Sequence, residues 1–246
     1  MDTLREVMDI LGGMWHRALT TQPAPPGWVV ASTAVFAALL VWAPGAWSIT
    51  RHVVTIVHEA AHGIAALLSG RKLHGIRLHS DTSGLTVSAG RPTGPGMVMT
   101  AAAGYVGPGL LGLGAAAMLA HHRAVGLLWA SLILLALLLI QVRNWFGLWS
   151  ILVSAAVVFA VSWWLQPQMQ SAFAYILTWF LLLAAPRPVL ELQAHRRGAR
   201  ADIERSDADQ LSRLTKVPAI VWVGFFLLVT VGALALGARW MVVAAT

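Results

Sequence analysis

Residues His52–Leu68 read HVVTIVHEAAHGIAALL, an apolar run that is interrupted by His58, Glu59 and His62. The run is short for a membrane crossing, which needs about 20 apolar residues, but flanking residues can extend it. An ionised carboxylate at the centre of a membrane helix costs about 2.5–3.5 kcal/mol on insertion scales, so such residues usually have a function. The stretch therefore predicts a membrane helix with a functional polar face.

The composition of the whole chain supports a membrane location. Of its 246 residues, 58% are hydrophobic and 11% are charged, whereas soluble domains carry about 25% charged residues. The lack of cysteine excludes disulfides, a thiol nucleophile and thiolate metal sites, which leaves His, Asp and Glu as metal ligands. We predict an integral membrane protein surrounded by the lipid bilayer.

The order of apolar and polar segments predicts the fold class, an all-α polytopic membrane protein of about seven transmembrane helices with a small cytoplasmic β-hairpin. The hairpin is predicted over residues 71–91, where alternating apolar residues flank a turn at Asp81-Thr82-Ser83-Gly84. Residues 1–22 are predicted as an interfacial amphipathic segment, or as a loosely ordered tail. Residues 23–246 form one transmembrane domain with a cytoplasmic loop over 187–216. The predicted spans are Trp28–Trp47, His52–Leu68, Met97–Leu119, Ala124–Ile140, Trp145–Leu165, Ser171–Ala185 and Val217–Ala238.

The distribution of basic residues predicts the orientation of these seven spans. Cytoplasmic loops carry an excess of Lys and Arg. With the N-terminus in the cytoplasm, fourteen of the 17 Lys and Arg residues fall on the cytoplasmic side, and Arg51, Arg123 and Arg239 fall on the other. These basic loops also account for the net charge of +7, so no nucleic-acid partner is expected.

The motif His58-Glu59-Ala60-Ala61-His62 predicts a zinc site. Residues four apart project from one face of a helix, so the two imidazoles can bind one metal ion. Zinc acidifies a water molecule that it binds, and Glu59 is placed to take the proton as the water attacks a peptide carbonyl. The alternative is a structural polar network of these three residues inside the helix bundle.

The sequence resembles the site-2 protease family of intramembrane zinc metalloproteases, in its short bacterial branch without a PDZ domain. The resemblance is carried by the metal motif, the following β-element and the run Ala103–Gly109, which reads AGYVGPG. Arg143–Gly147 and Ser206-Asp207-Ala208 add to it, and it extends from about Arg51 to Pro218. It implies a zinc metalloendopeptidase of the bacterial inner membrane that hydrolyses transmembrane protein substrates.

The third metal ligand is not indicated by the usual motif. The family takes it from an Asp-Gly pair on a late span, and this chain contains no Asp-Gly. The carboxylates that remain after the second span cluster before the last span, where Ser206 has the pattern of a helix N-cap and Asp209 that of its capping box. Asp207 is then free for the metal and is preferred, and Asp209 is the alternative. Both could instead form a solvated acidic patch.

Asn144 is a further candidate, for binding the substrate backbone or an oxyanion, because it lies at the same end of its span as the metal motif. It could also be a simple helix-boundary residue. If neither Asp207 nor Asp209 binds metal, His74, His79 and Asn144 are the next residues to consider as the third ligand.

Two other functions compete with proteolysis. A membrane metal transporter or sensor would carry ionisable residues on several facing spans, whereas here they concentrate on one helix and one loop. A non-catalytic relative that binds membrane proteins would not need the carboxylate of Glu59.

Overall fold

The computed structural model describes residues 12–13, 19–198 and 206–245. It confirms a mostly helical chain with one small antiparallel sheet of two strands in the described part. Most of the predicted amphipathic segment at residues 1–22 lies outside the described residues, which include only 12–13 and 19–22 of it. The elements are α1 (Gly27–Trp42), α2 (Pro44–Leu68), β1 (Lys72–Leu78), β2 (Gly84–Ala89), α3 (Pro95–Ala120), α4 (Ala124–Gln141), α5 (Trp145–Trp164), α6 (Pro167–Ala184), α7 (Pro186–Gly198), α8 (Asp207–Thr215) and α9 (Ala219–Val243).

The predicted count of seven spans is not confirmed. Five helical stretches in the described residues are long and apolar enough to cross a membrane, and one of them joins α6 and α7 into Pro167–Ala194. Helices α1 and α2 pass this test only together, and they bend by 96° at their junction. The break falls at Ala43, in extended conformation before Pro44, rather than between Trp47 and His52 as predicted. Proline disfavours a helical conformation in the residue before it, which explains the position.

The contacts of Glu191 correct the predicted partition of charges. Arg51 was expected on the outer side and Arg187 on the cytoplasmic side. In the structure, Arg187 Nε lies 3.0 Å from Glu191 Oε1 and Arg51 Nη2 lies 3.5 Å from Glu191 Oε2. Trp47 Nε1 also donates to Glu191 Oε1, at 3.0 Å. These groups lie together at the junction of α1 and α2, so the chain between Trp47 and His52 is not an outer loop.

The first helix begins at the end of the bundle opposite to the hairpin. Gln22 N donates to His122 O at 2.8 Å, and Gln22 Oε1 accepts from Val125 N at 3.1 Å. These partners lie where α3 meets α4, whereas the other end of α3 follows the hairpin. Helices α1 and α2 together therefore lead from the end marked by Gln22 to the end marked by the hairpin.

This arrangement predicts which introduced cysteines share one side of the membrane. The chain has no cysteine of its own, so single labels are unambiguous. We expect Ala24→Cys and Gln168→Cys to react with an impermeant reagent in whole cells, and Asp81→Cys to react only after the cells are opened. The seven-span alternative places Ala24 with Asp81, and labelling in that pattern would contradict the fold described here.

The hairpin packs on α2, and hydrogen bonds hold both its first strand and its turn. Strand β1 pairs with β2 in antiparallel register, and it confirms the predicted hairpin. Arg143 N donates to Ile76 O at 2.8 Å, which ties β1 to the α4–α5 connection. At the tip, Thr55 Oγ1 of α2 donates to the carbonyl oxygen of Thr82 at 2.9 Å. The sheet is therefore held over the helix that carries the metal motif.

The predicted loop at 187–216 contains two helices among its described residues. Helix α7 continues the direction of the chain after Ala185, and α8 begins at Asp207 with Ser206 as its N-cap. Ala208 and Leu211 of α8 are fully buried against apolar residues of α3, α7 and α9. This docking of an amphipathic helix determines where Asp207 lies.

Candidate metal centre

Three side chains from two helices bring their ligand atoms together. His58 Nε2 and His62 Nε2 lie 3.1 Å apart, as the spacing of one helical turn predicts. Asp207 Oδ2 lies 3.3 Å from the former and 3.2 Å from the latter. Among the described residues, these three form the one group of His and carboxylate ligands arranged closely enough to hold a metal ion.

The separations fit a tetrahedral zinc ion. Ligand bonds of about 2.0–2.1 Å in tetrahedral geometry place donor atoms about 3.3 Å apart, and three protein ligands leave the fourth position open. His62 Nδ1 donates to Thr100 O at 2.7 Å, which leaves the Nε2 of a neutral His62 as a lone-pair acceptor. It faces Asp207 Oδ2, which receives no hydrogen bond from the described residues. A zinc ion placed between these atoms would be bound by two imidazole nitrogens and one carboxylate oxygen.

The charge of Asp207 is stabilised by its partners. Without a metal ion, burial alone would raise the pKa of this carboxyl, but protonated imidazoles at His62 and His58 outweigh the burial and hold the pKa below its usual range. Asp207 is the first residue of α8, where the helix dipole also favours a negative charge. Both effects favour the carboxylate form of Asp207, which is the form that binds a metal ion.

Glu59 lies beside the three ligands and is held by the hairpin. Its side chain is 5% exposed, and Thr86 Oγ1 of β2 donates to Glu59 Oε2 at 2.6 Å. A Cβ atom added to Gly84 would lie 2.5 Å from Glu59 Oε1, so the strand passes directly over the carboxylate. The hydrogen bond occupies one carboxylate oxygen and restricts the orientation of the other.

Helix α3 approaches α2 closely enough to contact the imidazoles. A Cβ atom added to Gly104 would overlap Nε2 of both His58 and His62, and one added to Gly107 would overlap Ala61 Cβ. Small residues allow such close packing of membrane helices. Gly104 thus leaves the space that the two ligand side chains occupy.

This close approach predicts a selective effect of added methyl groups on α3. Gly104→Ala should lower zinc affinity by at least the 10- to 100-fold seen when orienting contacts of a metal site are lost, because both imidazoles must move. Gly114→Ala is the matched control, since nothing lies within 4 Å of its added Cβ. Zinc titration of both purified variants checks the prediction, and equal affinities would contradict it.

A cavity of about 480 Å³ opens beside the metal ligands. Glu59 and Asp207 are the acidic residues among its described lining, and Arg51 is the basic one. Strand β2 forms one wall, and the junction of α2 with α7 forms another, through Trp47 and Pro188. The cavity therefore connects the ligands with a strand edge and with the break between α1 and α2.

The other candidates from the sequence lie away from the ligand atoms. Asp209 occupies the capping-box position, where its N–H donates to Ser206 Oγ at 3.3 Å and its carboxylate contacts the same hydroxyl. His79 Nδ1 lies 3.2 Å from Ser83 Oγ in the hairpin turn, and His74 is exposed on β1. His52 packs against Phe146, with ring centroids 5.4 Å apart.

Asn144 is bound at both polar ends by one residue of the hairpin. Its Nδ2 donates to Leu78 O at 2.6 Å and its Oδ1 accepts from Leu78 N at 3.1 Å. It is not among the described residues that line the cavity. These bonds explain the position of Asn144 as an anchor between β1 and α5, and binding of substrate by this residue stays a prediction.

Three residues near the ligands were not anticipated from the sequence. Thr86 binds Glu59, Thr100 orients His62, and the ring of Tyr105 packs edge-on against His58 with centroids 4.9 Å apart. Tyr105 lies within the run Ala103–Gly109, which carries part of the resemblance to site-2 proteases. That run is the one sequence signal that could have directed attention to it.

The fold and the centre define an integral membrane protein of the metallopeptidase kind, with an HExxH helix and a carboxylate from a later helix. The model of the family Peptidase M50B-like matches residues 31–237, which is most of the chain. The chain belongs to this family, and the resemblance to site-2 proteases is confirmed. No similar curated protein and no similar solved structure was found.

Proposed function

We propose that this protein is an intramembrane zinc metallopeptidase that hydrolyses peptide bonds of membrane proteins. The observation that carries the proposal is the convergence of His58, His62 and Asp207 within 3.3 Å of one another, with Glu59 beside them. A membrane metal transporter is less well supported, because the described cavity lining offers one compact ligand group and no second group along a path.

The residues around the centre have separate roles in this proposal. A zinc ion, when bound, would supply Lewis-acid activation of the attacking water and of the substrate carbonyl. Glu59 accepts the proton of the water as its oxygen attacks, and it later delivers that proton to the leaving amine. Thr86 holds the carboxylate in place, and Thr100 fixes His62 through its Nδ1 hydrogen. Because these groups are held in advance, little rearrangement is needed during the reaction.

The hairpin supports a peptide as the substrate. Within the described residues β2 pairs with β1 alone, and its Gly84, Leu85, Thr86 and Ser88 line the cavity. An unpaired strand edge binds extended peptides through main-chain hydrogen bonds. We propose that a transmembrane substrate unwinds locally and lies along this edge, in a bacterial cell membrane with the hairpin on the cytoplasmic side, where most basic residues lie.

The proposed function is tested by metal content and proteolysis together. Purified protein should contain one zinc ion per chain and cleave a fluorogenic single-span test peptide in detergent, and a chelator should abolish cleavage until zinc is restored. His58→Ala/His62→Ala should lose both zinc and activity. His74→Ala/His79→Ala, which alters two histidines of the hairpin, is the matched control and should keep both.

Two results would contradict the proposal. Equal zinc in both double variants would show that the metal is bound elsewhere. Stoichiometric zinc at the expected residues without cleavage of any of a set of single-span peptides would favour a metal-binding or partner-binding role for the same centre.

A further inference from the structure

Tyr105 is one of the residues that line the cavity beside the metal ligands. Its ring stacks on Phe226, with centroids 5.1 Å apart and an interplanar angle of 19°, and it meets the ring of His58 edge-on at 89°. These two contacts fix the ring from both sides. The hydroxyl group is not hydrogen-bonded to any described residue.

Most other hydrogen-bond donors in the cavity wall are already engaged. The hydroxyl of Thr55 donates to Thr82 O at 2.9 Å, that of Thr86 donates to Glu59, and that of Thr100 donates to Gly96 O at 2.8 Å. The indole N–H of Trp47 donates to Glu191. A donor for the reacting carbonyl must come from a group that is free and close to the ligands.

Tyr105 combines a hydroxyl that is not hydrogen-bonded to a described residue with a ring that contacts His58. The guanidinium of Arg51 is bound to Glu191, and Arg51 lies two helical turns before His58, about 10 Å along α2. The amide of Gln210 lines the cavity from α8 and is the strongest rival. Tyr105, in contrast, directly contacts a ligand side chain and is held rigidly by two rings.

We infer that the Tyr105 hydroxyl is a catalytic hydrogen-bond donor that stabilises the oxyanion formed from the scissile carbonyl, an inference that rests on the proposed peptidase function. As the water oxygen bonds to the carbonyl carbon, the π electron pair moves to the carbonyl oxygen and Glu59 takes the proton. Tyr105 donates a hydrogen bond to that oxygen and keeps its own proton. When the electron pair returns, the C–N bond breaks and the amine takes the proton from Glu59.

The magnitude expected for such a donor is large, because it acts on charge that develops in the transition state. Loss of one preorganised oxyanion donor lowers kcat by about 10²–10³-fold. Tyr105→Phe keeps the ring contacts with His58 and Phe226 and removes the hydroxyl alone. We therefore expect this variant to retain zinc and KM while kcat falls by about 10²–10³-fold.

The experiment compares Tyr105→Phe with Tyr175→Phe, which changes the second of the two tyrosines in the chain. Tyr175 lies on α6, its hydroxyl is buried without a hydrogen-bond partner among the described residues, and its loss should not change kcat. Zinc content, kcat and KM are measured with the fluorogenic single-span peptide. Affinity for a phosphinic peptide, a tetrahedral anionic analogue of the transition state, is measured on the same zinc-loaded proteins.

Tyr105→Phe should bind the phosphinic peptide about 10²-fold more weakly than wild type, in parallel with kcat. Unchanged kcat and unchanged inhibitor affinity in Tyr105→Phe would overturn the inference, and so would loss of zinc from this variant. A comparable loss of kcat confined to Gln210→Leu would assign the donor to Gln210 instead. Absence of zinc-dependent cleavage by the wild-type protein would reject the proposed function itself.

Discussion

Glu59→Gln is expected to retain one zinc ion per chain and to lose proteolysis by about 10²–10⁴-fold, the range for removal of a positioned general base. The amide is close in size to the carboxylate and can still accept the hydrogen bond from Thr86 Oγ1. It cannot take a proton from the attacking water. Zinc content and single-turnover cleavage of the fluorogenic peptide together measure the effect.

A matched control separates this effect from a general loss of acidic charge. Asp81 is an exposed carboxylate in the hairpin turn, where it accepts hydrogen bonds from Ser83 N at 2.9 Å and from Ser83 Oγ at 2.6 Å. Asp81→Asn should therefore keep zinc and activity. Cleavage by Glu59→Gln at the rate of the wild type would rule out Glu59 as the base, and loss of zinc would make it a ligand or a support for the ligands.

Replacement of Asp207 by Ala is expected to lower zinc affinity by more than 10- to 100-fold, since changes outside the ligand shell already cause losses of that size. Activity should fall with the metal. The physical reason is that two imidazoles alone leave the centre with two protein ligands and without its negative charge. Titration with zinc and assay at saturating zinc distinguish weaker binding from a damaged reaction.

Asp209→Ala provides the paired comparison, two residues further along the same helix. Because Asp209 interacts with the N-cap Ser206, its loss should cost about 0.5–2 kcal/mol of helix stability and leave zinc affinity close to that of the wild type. The reverse pattern would make Asp209 the ligand. Full zinc in both single variants would place the third ligand on another residue.

The sequence alone was sufficient to predict features that depend on local geometry. The i, i+4 spacing of His58 and His62 brings two imidazoles together wherever the segment is helical, and the structure has them 3.1 Å apart. Alternating apolar residues on both sides of a turn predicted the hairpin that the structure contains. Apolar length predicted most of the membrane helices, because a crossing requires a nearly fixed number of residues.

Local sequence patterns did not predict the position of the break between α1 and α2, because the effect of Pro44 was missed. The helix breaks at Ala43, the residue before Pro44, and not between Trp47 and His52. The first two predicted spans are therefore a pair of helices that pass the test for a membrane span only together. The distribution of basic residues assigned Arg51 to the outer side and Arg187 to the cytoplasmic side, yet both bind the carboxylate of Glu191. The total of basic residues on each side changes little when one residue is assigned to the wrong side. The total could therefore not reveal that Arg51 and Arg187 lie together.

The centre was completed by contacts between residues that are far apart in the sequence. Asp207 reaches His58 and His62 because Ala208 and Leu211 dock α8 against three other helices, whereas the capping-box pattern could only make Asp209 less available. Thr86, Thr100, Gly104 and Tyr105 join the centre in the same way, through the packing of the hairpin and α3 on α2. The sequence by itself determined the two-histidine motif and its membrane helix, because both depend on spacing within one segment. Only the tertiary structure brought Asp207 to the two histidines and placed the groups around Glu59, because their positions depend on the packing of separate elements.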